Sequence, residues 1–384
     1  MKHGTIIKQD GTFGYFAWPS VARLKDGRLI TVCSGFRMAH ICPFGKVAYS
    51  ISEDEGETWS PPQVLFETPL DDRDGGVTPW GDGFLLTTFN NTREFQRKTN
   101  ERKPFPIPEK NIFLKEQLEC VSDAEEDEHW GSHYACFDKE LKELYRGKLP
   151  ITAPHGFTVR NDGSLFLVGR RFYATNTPNQ PYLNHPKEGI GYLTSTDGRA
   201  FSDVTWLKLP EQEISEGGLF CEPHAIQLKN GRIIIQIRLQ NYQKQVEGCK
   251  NGLFTVYQCV SDDNGKTFSI PAPLNIPEGS MCGSPPHLLE LPGGEIVMVY
   301  GYREEPYGQR ARVSFDGGDS WSREIVLRDD GPSGDLGYPA SITAGEDILT
   351  VYYQKREKTG NAEICYTRWN YREFLSNEIG GIEK

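Results

Sequence analysis

The chain has 384 residues, 40 of them Gly and 25 Pro, with a hydrophobic fraction of 37% and a formal net charge of −11. That length holds one large β-domain or two ordinary domains, and the turn-rich composition suits many short strands. The acidic balance argues against a nucleic-acid or anionic-membrane partner, and no apolar run approaches the length of a membrane span.

The segment Met1 to Lys8 has no apolar signal core, so a cytoplasmic protein is expected. The nine Cys include no C-x-x-C pair and read as scattered reduced thiols. Within the first segment, Thr5 to Lys8 reads as a short strand. Pro19 to Gly27 then leads through a Gly turn into Arg28-Leu29-Ile30-Thr31-Val32. The alternating run Lys46 to Ser50 ends in the acidic turn Ser52-Glu53-Asp54-Glu55-Gly56-Glu57-Thr58-Trp59. In such a turn the Asp accepts backbone N–H bonds, and the Gly takes a positive φ that other residues resist.

A weaker strand–turn unit starts near Gly75 and runs into a long segment between about Asn90 and Tyr134. That segment carries a basic run from Arg97 to Lys103, then prolines, then an acidic run from Asp123 to Asp127. It reads as a solvated insertion on a β-rich body, or as a lid or dimer contact. His129 and His133 within it are a weak candidate metal pair.

Further units follow. His155 to Gly163 precedes Leu165-Phe166-Leu167-Val168, His224 to Gly231 precedes Ile233-Ile234-Ile235, and His287 to Gly294 precedes Ile296-Val297-Met298-Val299. A sixth starts near Tyr338. Acidic turns recur at Ser195-Thr196-Asp197-Gly198 running to Phe201, Ser261 to Phe268, and Ser314 to Trp321. Three of the four turns fit S-x-D-x-G-x-[ST]-[WF] in full, and the copy at Ser195 is one residue short. Each unit reads strand, turn, strand, loop, strand, acidic turn, strand.

Six units divide the 384 residues into about 64 each, above the roughly 40–50 of ordinary blades. The expectation is an all-β fold: one six-bladed β-propeller of four-stranded antiparallel blades spanning residues 1–384, with the blade-two insertion at about 90–134. The N-terminal strand should pair with Ile364 to Trp369 and close the ring, removing exposed sheet edges.

In a propeller the innermost strands surround a central channel, and their entry ends form a mouth. Aligned by apolar positions and Gly turns, these strands bring Trp18, Asp74, Pro154, Glu222, Pro286 and Tyr338 into register, with His155, His224 and His287 one step along. The acidic turns fall between third and fourth strands, on the opposite side. Their carboxylates are therefore expected to be structural.

At these residues the chain resembles the sialidase superfamily, and the resemblance covers nearly its whole length. It implies a Tyr nucleophile, a Glu that activates it, an Asp acid/base and three Arg gripping a sugar carboxylate. Cys221-Glu222-Pro223 resembles the Glu segment, and Arg238 its paired Arg. Gly308-Gln309-Arg310 resembles another triad segment, and Gly337-Tyr338-Pro339 that of the nucleophile.

The physical roles are coherent. A Tyr hydroxyl with a pKa near 10 is a weak nucleophile until an ionised carboxylate takes its proton and guanidinium groups stabilise the phenolate. The Arg fork matches a carboxylate with two parallel hydrogen bonds. Two family features are missing. Phe16-Ala17-Trp18-Pro19 holds Ala17 where the family has its first Arg. The loop after the second strand of blade one, Arg37 to Lys46, has no carboxylate.

His40, which titrates near neutrality, and Asp74 are the acid/base candidates, while Arg37 is a replacement for the absent Arg. Trp18 is either a stacking surface for a sugar or core. The three His are either substrate contacts, proton carriers, packing, or a three-His metal site with an open position.

The leading expectation is a retaining exo-glycosidase acting on an acidic terminal sugar through Tyr338 and Glu222, with no required cofactor. The rivals are a polysaccharide lyase or metal-dependent sugar enzyme using the Tyr and His cluster, and a non-catalytic glycan-binding propeller. Fold alone does not choose among them.

Overall fold

The computed structural model describes residues 1–172, 189–246, 249–250, 252–277 and 281–379. Six antiparallel sheets follow one another along the chain, four strands each except for an extra short strand in the third. Blade one is Tyr15–Arg23, Leu29–Arg37, Lys46–Ser52 and Gln63–Phe66, and blade two is built from Asp71–Trp80, Gly83–Asn91, Ser132–Phe137 and Glu143–Leu149. In blades four, five and six the inner strands are Leu219–Gln227, Pro286–Glu290 and Gly337–Ala344.

The last blade is completed by the N-terminus. Lys2–Ile7 pairs antiparallel with Ala362–Trp369, with Lys2 opposite Arg368 and Thr5 opposite Cys365. The expected ring closure is therefore present.

Every second strand packs between two neighbouring blades, so both of its faces are covered. This explains why Leu29–Arg37, Gly83–Asn91, Ile233–Asn241 and Ile296–Tyr302 are buried nearly throughout rather than on alternate residues. The core accordingly consists of six wedges, one between each pair of adjacent blades. The wedge between blades four and five, for example, holds Ile234, Val256, Met298 and Trp321.

The acidic turns lock these wedges from outside. In each, a Ser hydroxyl accepts the N–H of the turn glycine: Gly56, Gly265 and Gly318 at 2.8 Å, and Gly198, in the shortened copy, at 2.9 Å. Gly318 sits at φ +90°, and a Cβ there would meet Ile234 Cδ1 at 2.6 Å. The turn aromatics Trp59, Phe201, Phe268 and Trp321 each enter a different wedge.

The blade-two insertion departs from the all-β expectation. It folds as three helices, α1 (Arg93–Arg102), α2 (Pro108–Cys120) and α3 (Asp123–His129). Local signals explain each: Thr92 caps α1, Pro108 opens α2, and Ser122 with Glu125 forms a capping box on α3. Arg93 ties α1 to Glu126 of α3 at 2.7 Å, and Leu114 and Leu118 pack on Met38 and Cys42 of the blade-one loop. The insertion is thus docked, not a free solvated flap.

His133 belongs to a strand, not the insertion. It lies against the His129 carbonyl at 2.8 Å, and burial lowers its pKa to about 4. The reading of nine scattered thiols also needs correction. Cys249 and Cys282 form a disulfide with Cα atoms 5.9 Å apart, inside the usual range. No helix among the described residues is long and apolar enough to cross a membrane.

Candidate active site

Four inner strands carry the same local irregularity. Trp18 (φ 55°), Asp74 (49°), Glu222 (49°) and Tyr338 (49°) all occupy the left-handed region without being glycine. Each lies where the pairing register shifts, between Ala17 and Ser20, Arg73 and Gly76, Cys221 and Pro223, and Gly337 and Ala340. A bulge adds one residue to a strand and re-aims a side chain, at a backbone cost of about 1–3 kcal/mol per strained residue. Here four blades bear that cost at one level, and all four side chains line one pocket of about 640 Å³. The aligned positions inferred from sequence do meet.

At the centre of the pocket Tyr338 Oη donates a short hydrogen bond to Glu222 Oε1. Arg238 Nη1 donates to Glu222 Oε2 at 2.5 Å and to Tyr338 Oη at 3.4 Å, while Nη2 is held by Gln240 at 2.7 Å. Burial pushes the Glu222 carboxyl up, but the charge of Arg238 and the hydrogen bonds from Tyr338 and Arg238 outweigh it, so its pKa is lowered. Burial, reinforced by the Glu222 charge, drives the Tyr338 phenol well above its usual value. The resting pair is therefore a neutral phenol on an ionised carboxylate.

Asp74 faces the opposite requirement. Burial, with the Glu222 charge adding, raises its pKa to about 7 against the pull of Arg73. A carboxylic acid held protonated near neutrality is equipped to give a proton to a leaving oxygen.

His40 also lines the pocket, with half of its side chain exposed. Its Nδ1 lies 3.1 Å from Asp335 Oδ1 and 3.1 Å from the Tyr15 hydroxyl. Asp335 also pairs with Lys355 at 3.1 Å. Burial opposes ionisation of Asp335, but its bond and charge interaction with His40 and its contact with Lys355 hold its pKa well down. Asp335 has no motif around it and was not visible in the sequence.

Several inferred substrate contacts lie elsewhere. Arg310 is buried away from the pocket, bonded to Glu324 at 3.1 Å and to the Pro306 carbonyl at 2.9 Å. Its place at the start of a third strand turns it toward the outer part of the blade. Arg37 is fully buried in an ion pair with Asp71 at 2.6 Å and bonded to Ser34 at 2.8 Å, so its fork is occupied. Trp18 lines the pocket floor, but the Arg73 guanidinium lies over its ring at 4.1 Å, leaving no open stacking platform on that face.

In their place the pocket is lined by Arg73, Arg170, Arg238 and Arg303. Arg303 donates Nε–H to the Leu336 carbonyl at 3.1 Å and lies over the Tyr338 ring at 5.7 Å. A sequence signal for it existed. Arg37, Arg170 and Arg238 lie at or near the ends of second strands, and Arg303 follows the second strand of blade five.

The three inner His converge, but as a packed cluster outside the pocket lining. His224 and His287 stack at 4.2 Å and 20°, and His155 stands edge-on to both at 5.5 and 5.1 Å. The Nδ1 atoms of His224 and His287 accept the Leu288 and Ser341 backbone N–H groups at 3.0 and 3.4 Å. Burial lowers the pKa of all three, that of His224 to about 3. Both are then neutral rings with the proton on Nε2, and stacked rings do not aim two nitrogens at one ion. The trio fits neither a metal site nor a substrate contact, and none of the three lines the pocket. Among the described residues no group of three or more His, Cys, Asp or Glu has metal-holding geometry.

Residues 202–351 match the family model of the BNR repeat-like domain. No curated protein matches the chain in sequence. Among solved structures, a protein of unknown function from Dyadobacter fermentans DSM 18053 is 20% identical, with a TM-score of 0.68, covering 96% of this chain and 98% of that one. The Penicillium chrysogenum α-L-arabinanase, solved with arabinobiose, is 12% identical, with a TM-score of 0.60 and coverage of 96% and 98%. The Hadza microbial sialidase Hz136 is 12% identical, with a TM-score of 0.61, covering 97% of this chain and 69% of that one. At such identities the likeness is one of fold. The chain is a six-bladed β-propeller with BNR-type repeats, similar in architecture to sialidases and to GH93 arabinofuranosidases.

Proposed function

We propose that this chain is a retaining exo-glycosidase that removes a terminal acidic sugar. The observation that carries the reading is the Tyr338–Glu222–Arg238 constellation, in which a phenol donates to an ionised carboxylate held by a guanidinium. Tyr338 Oη attacks the anomeric carbon and its proton passes to Glu222. The glycosidic C–O bond breaks, and Asp74 gives its proton to the departing oxygen. In the second half, water attacks the anomeric carbon as its proton passes to the Asp74 carboxylate. The Tyr338–sugar bond breaks, and Glu222 returns the proton to Tyr338.

The acidic character of the sugar rests on four Arg side chains around the pocket against the carboxylates of Asp74 and Glu222. Neither Arg310 nor Arg37 enters this reading. Arg303, whose Nε–H is bound to the Leu336 carbonyl, takes the role of holding the acidic group. Similar propellers have been solved with arabinobiose, which supports a glycoside as the ligand class.

The test is a panel of 4-nitrophenyl glycosides of sialic, hexuronic and neutral sugars. The wild-type chain should turn over an acidic member. Tyr338→Phe should abolish that turnover while equilibrium binding of the same glycoside changes by less than about threefold, within the scatter of a near-neutral substitution. No turnover of any member, or undiminished turnover by Tyr338→Phe, contradicts the reading.

A further inference from the structure

One side of the pocket is not explained by the nucleophile, the acid or the arginines. It is an aromatic wall. Phe89 lies near the end of the second strand of blade two, Phe95 stands in the first turn of α1, Trp130 follows α3, and Phe172 follows Leu165–Arg171, the second strand of blade three. All four line the pocket and are only half buried. Phe172 lies 5.5 Å from Trp130 and 6.0 Å from Phe89, ring to ring.

Two of its four rings, Phe95 and Trp130, come from the insertion, whose first helix is anchored to the blade. Asn91 Nδ2 donates to Asp71 Oδ2 at 3.0 Å, and Gln96 donates to the same oxygen. The start of α1 is thereby tied to the buried carboxylate that also pairs with Arg37.

Two polar groups beside the wall, Asn90 and Thr92, are engaged by the fold. Asn90 donates to the His129 carbonyl at 2.8 Å and accepts from the Gly131 N–H at 2.9 Å. Thr92 Oγ1 accepts the Phe95 N–H at 3.1 Å as the helix cap. A second sugar seated here would lose water from its hydroxyls without gaining partners, which is costly. A planar aromatic group loses little and gains ring contacts.

We infer that this wall is a leaving-group subsite for an aromatic aglycone, so that the natural substrates are glycosides of phenols rather than oligosaccharides. The inference rests on the glycosidase reading above for its meaning, but its test does not depend on turnover. Titration of the full-length chain with free 4-methylumbelliferone, followed by saturation-transfer NMR, should show saturable binding. Trp130→Ala and Phe95→Ala should each weaken it by roughly tenfold, the scale of a lost aromatic anchor. Phe95→Leu keeps the apolar volume without the ring and should give an intermediate loss. It serves if an alanine variant fails to fold.

Cellobiose at equal concentration should not displace the probe. Tyr338→Phe should bind it as the wild type does. Absence of saturable binding, binding indifferent to both Phe95 variants, or displacement by cellobiose overturns the subsite. If the phenol binds as expected while Tyr338→Phe still turns over a glycoside, the nucleophile assignment fails and the subsite stands. If Tyr338→Phe is inactive but the phenol does not bind, the reverse holds.

Discussion

Asp54 and Asp74 carry the same side chain in neighbouring blades, and their surroundings drive them in opposite directions. Asp54, in the first acidic turn, accepts from the Thr58 N–H at 2.8 Å, from the Thr58 hydroxyl at 2.5 Å and from the Ser52 hydroxyl at 2.8 Å. Those bonds lower its pKa to about 2. Asp74 is buried at a bulge in the pocket and pushed up to about 7. Hydrogen bonding to the charged form favours ionisation, and removal from water opposes it. The carboxylate that repeats most visibly along the chain spends its charge on holding a turn. The one that can do acid chemistry is a single residue in no motif, where a charge is expensive to keep.

This contrast can be broken at either end. The largest effect belongs to the pocket: Glu222→Gln removes the proton acceptor and should lower kcat by about 10²–10⁴-fold in a steady-state assay on a confirmed substrate. Next, Asp74→Asn should cost a similar or smaller factor on glycosides with poor leaving groups, and much less on nitrophenyl glycosides, which need little protonation. The pH profile carries the sign. With Asp74 as the proposed acid, wild-type kcat/KM should fall as pH rises through about 7, and that limb should vanish in Asp74→Asn. An unchanged alkaline limb would contradict the assignment of Asp74 as the acid.

The smallest effect on activity belongs to the turn. Asp54→Ala should leave kcat/KM unchanged and lower Tm at neutral pH. The folded pKa of Asp54 is depressed, so its contribution is present above the unfolded value and lost as pH falls through about 2. The Tm gap between wild type and variant should therefore close in acid.

The repeats made the propeller legible because each acidic turn reports a local rule that every copy obeys: a Ser–Asp–Gly geometry and an aromatic wedge. The register of Trp18, Asp74, Glu222 and Tyr338 was legible for the same reason, although the bulge that aims them was not. Arg310 lies outside the pocket although its motif distance resembles that of a triad Arg, because distance along the chain does not say toward which part of a blade a residue turns. Arg303 follows a second strand, where the pocket is, whereas Arg310 opens a third. Asp335, the Cys249–Cys282 disulfide and the aromatic wall depend on contacts between distant segments, which no local pattern encodes. The helices of the insertion did have local signals, Thr92, Pro108 and Ser122, that the surrounding β-repeat obscured.

The central claim is that Tyr338 forms the bond to the sugar. It is tested most directly by incubating the chain with glycosyl fluorides of acidic sugars bearing a second fluorine beside the anomeric carbon, which slows release of a covalent intermediate. Peptide mass spectrometry should then find one glycosyl group on Tyr338, absent from Tyr338→Phe. Label on a different residue, or hydrolysis with inversion and no label, would contradict the account.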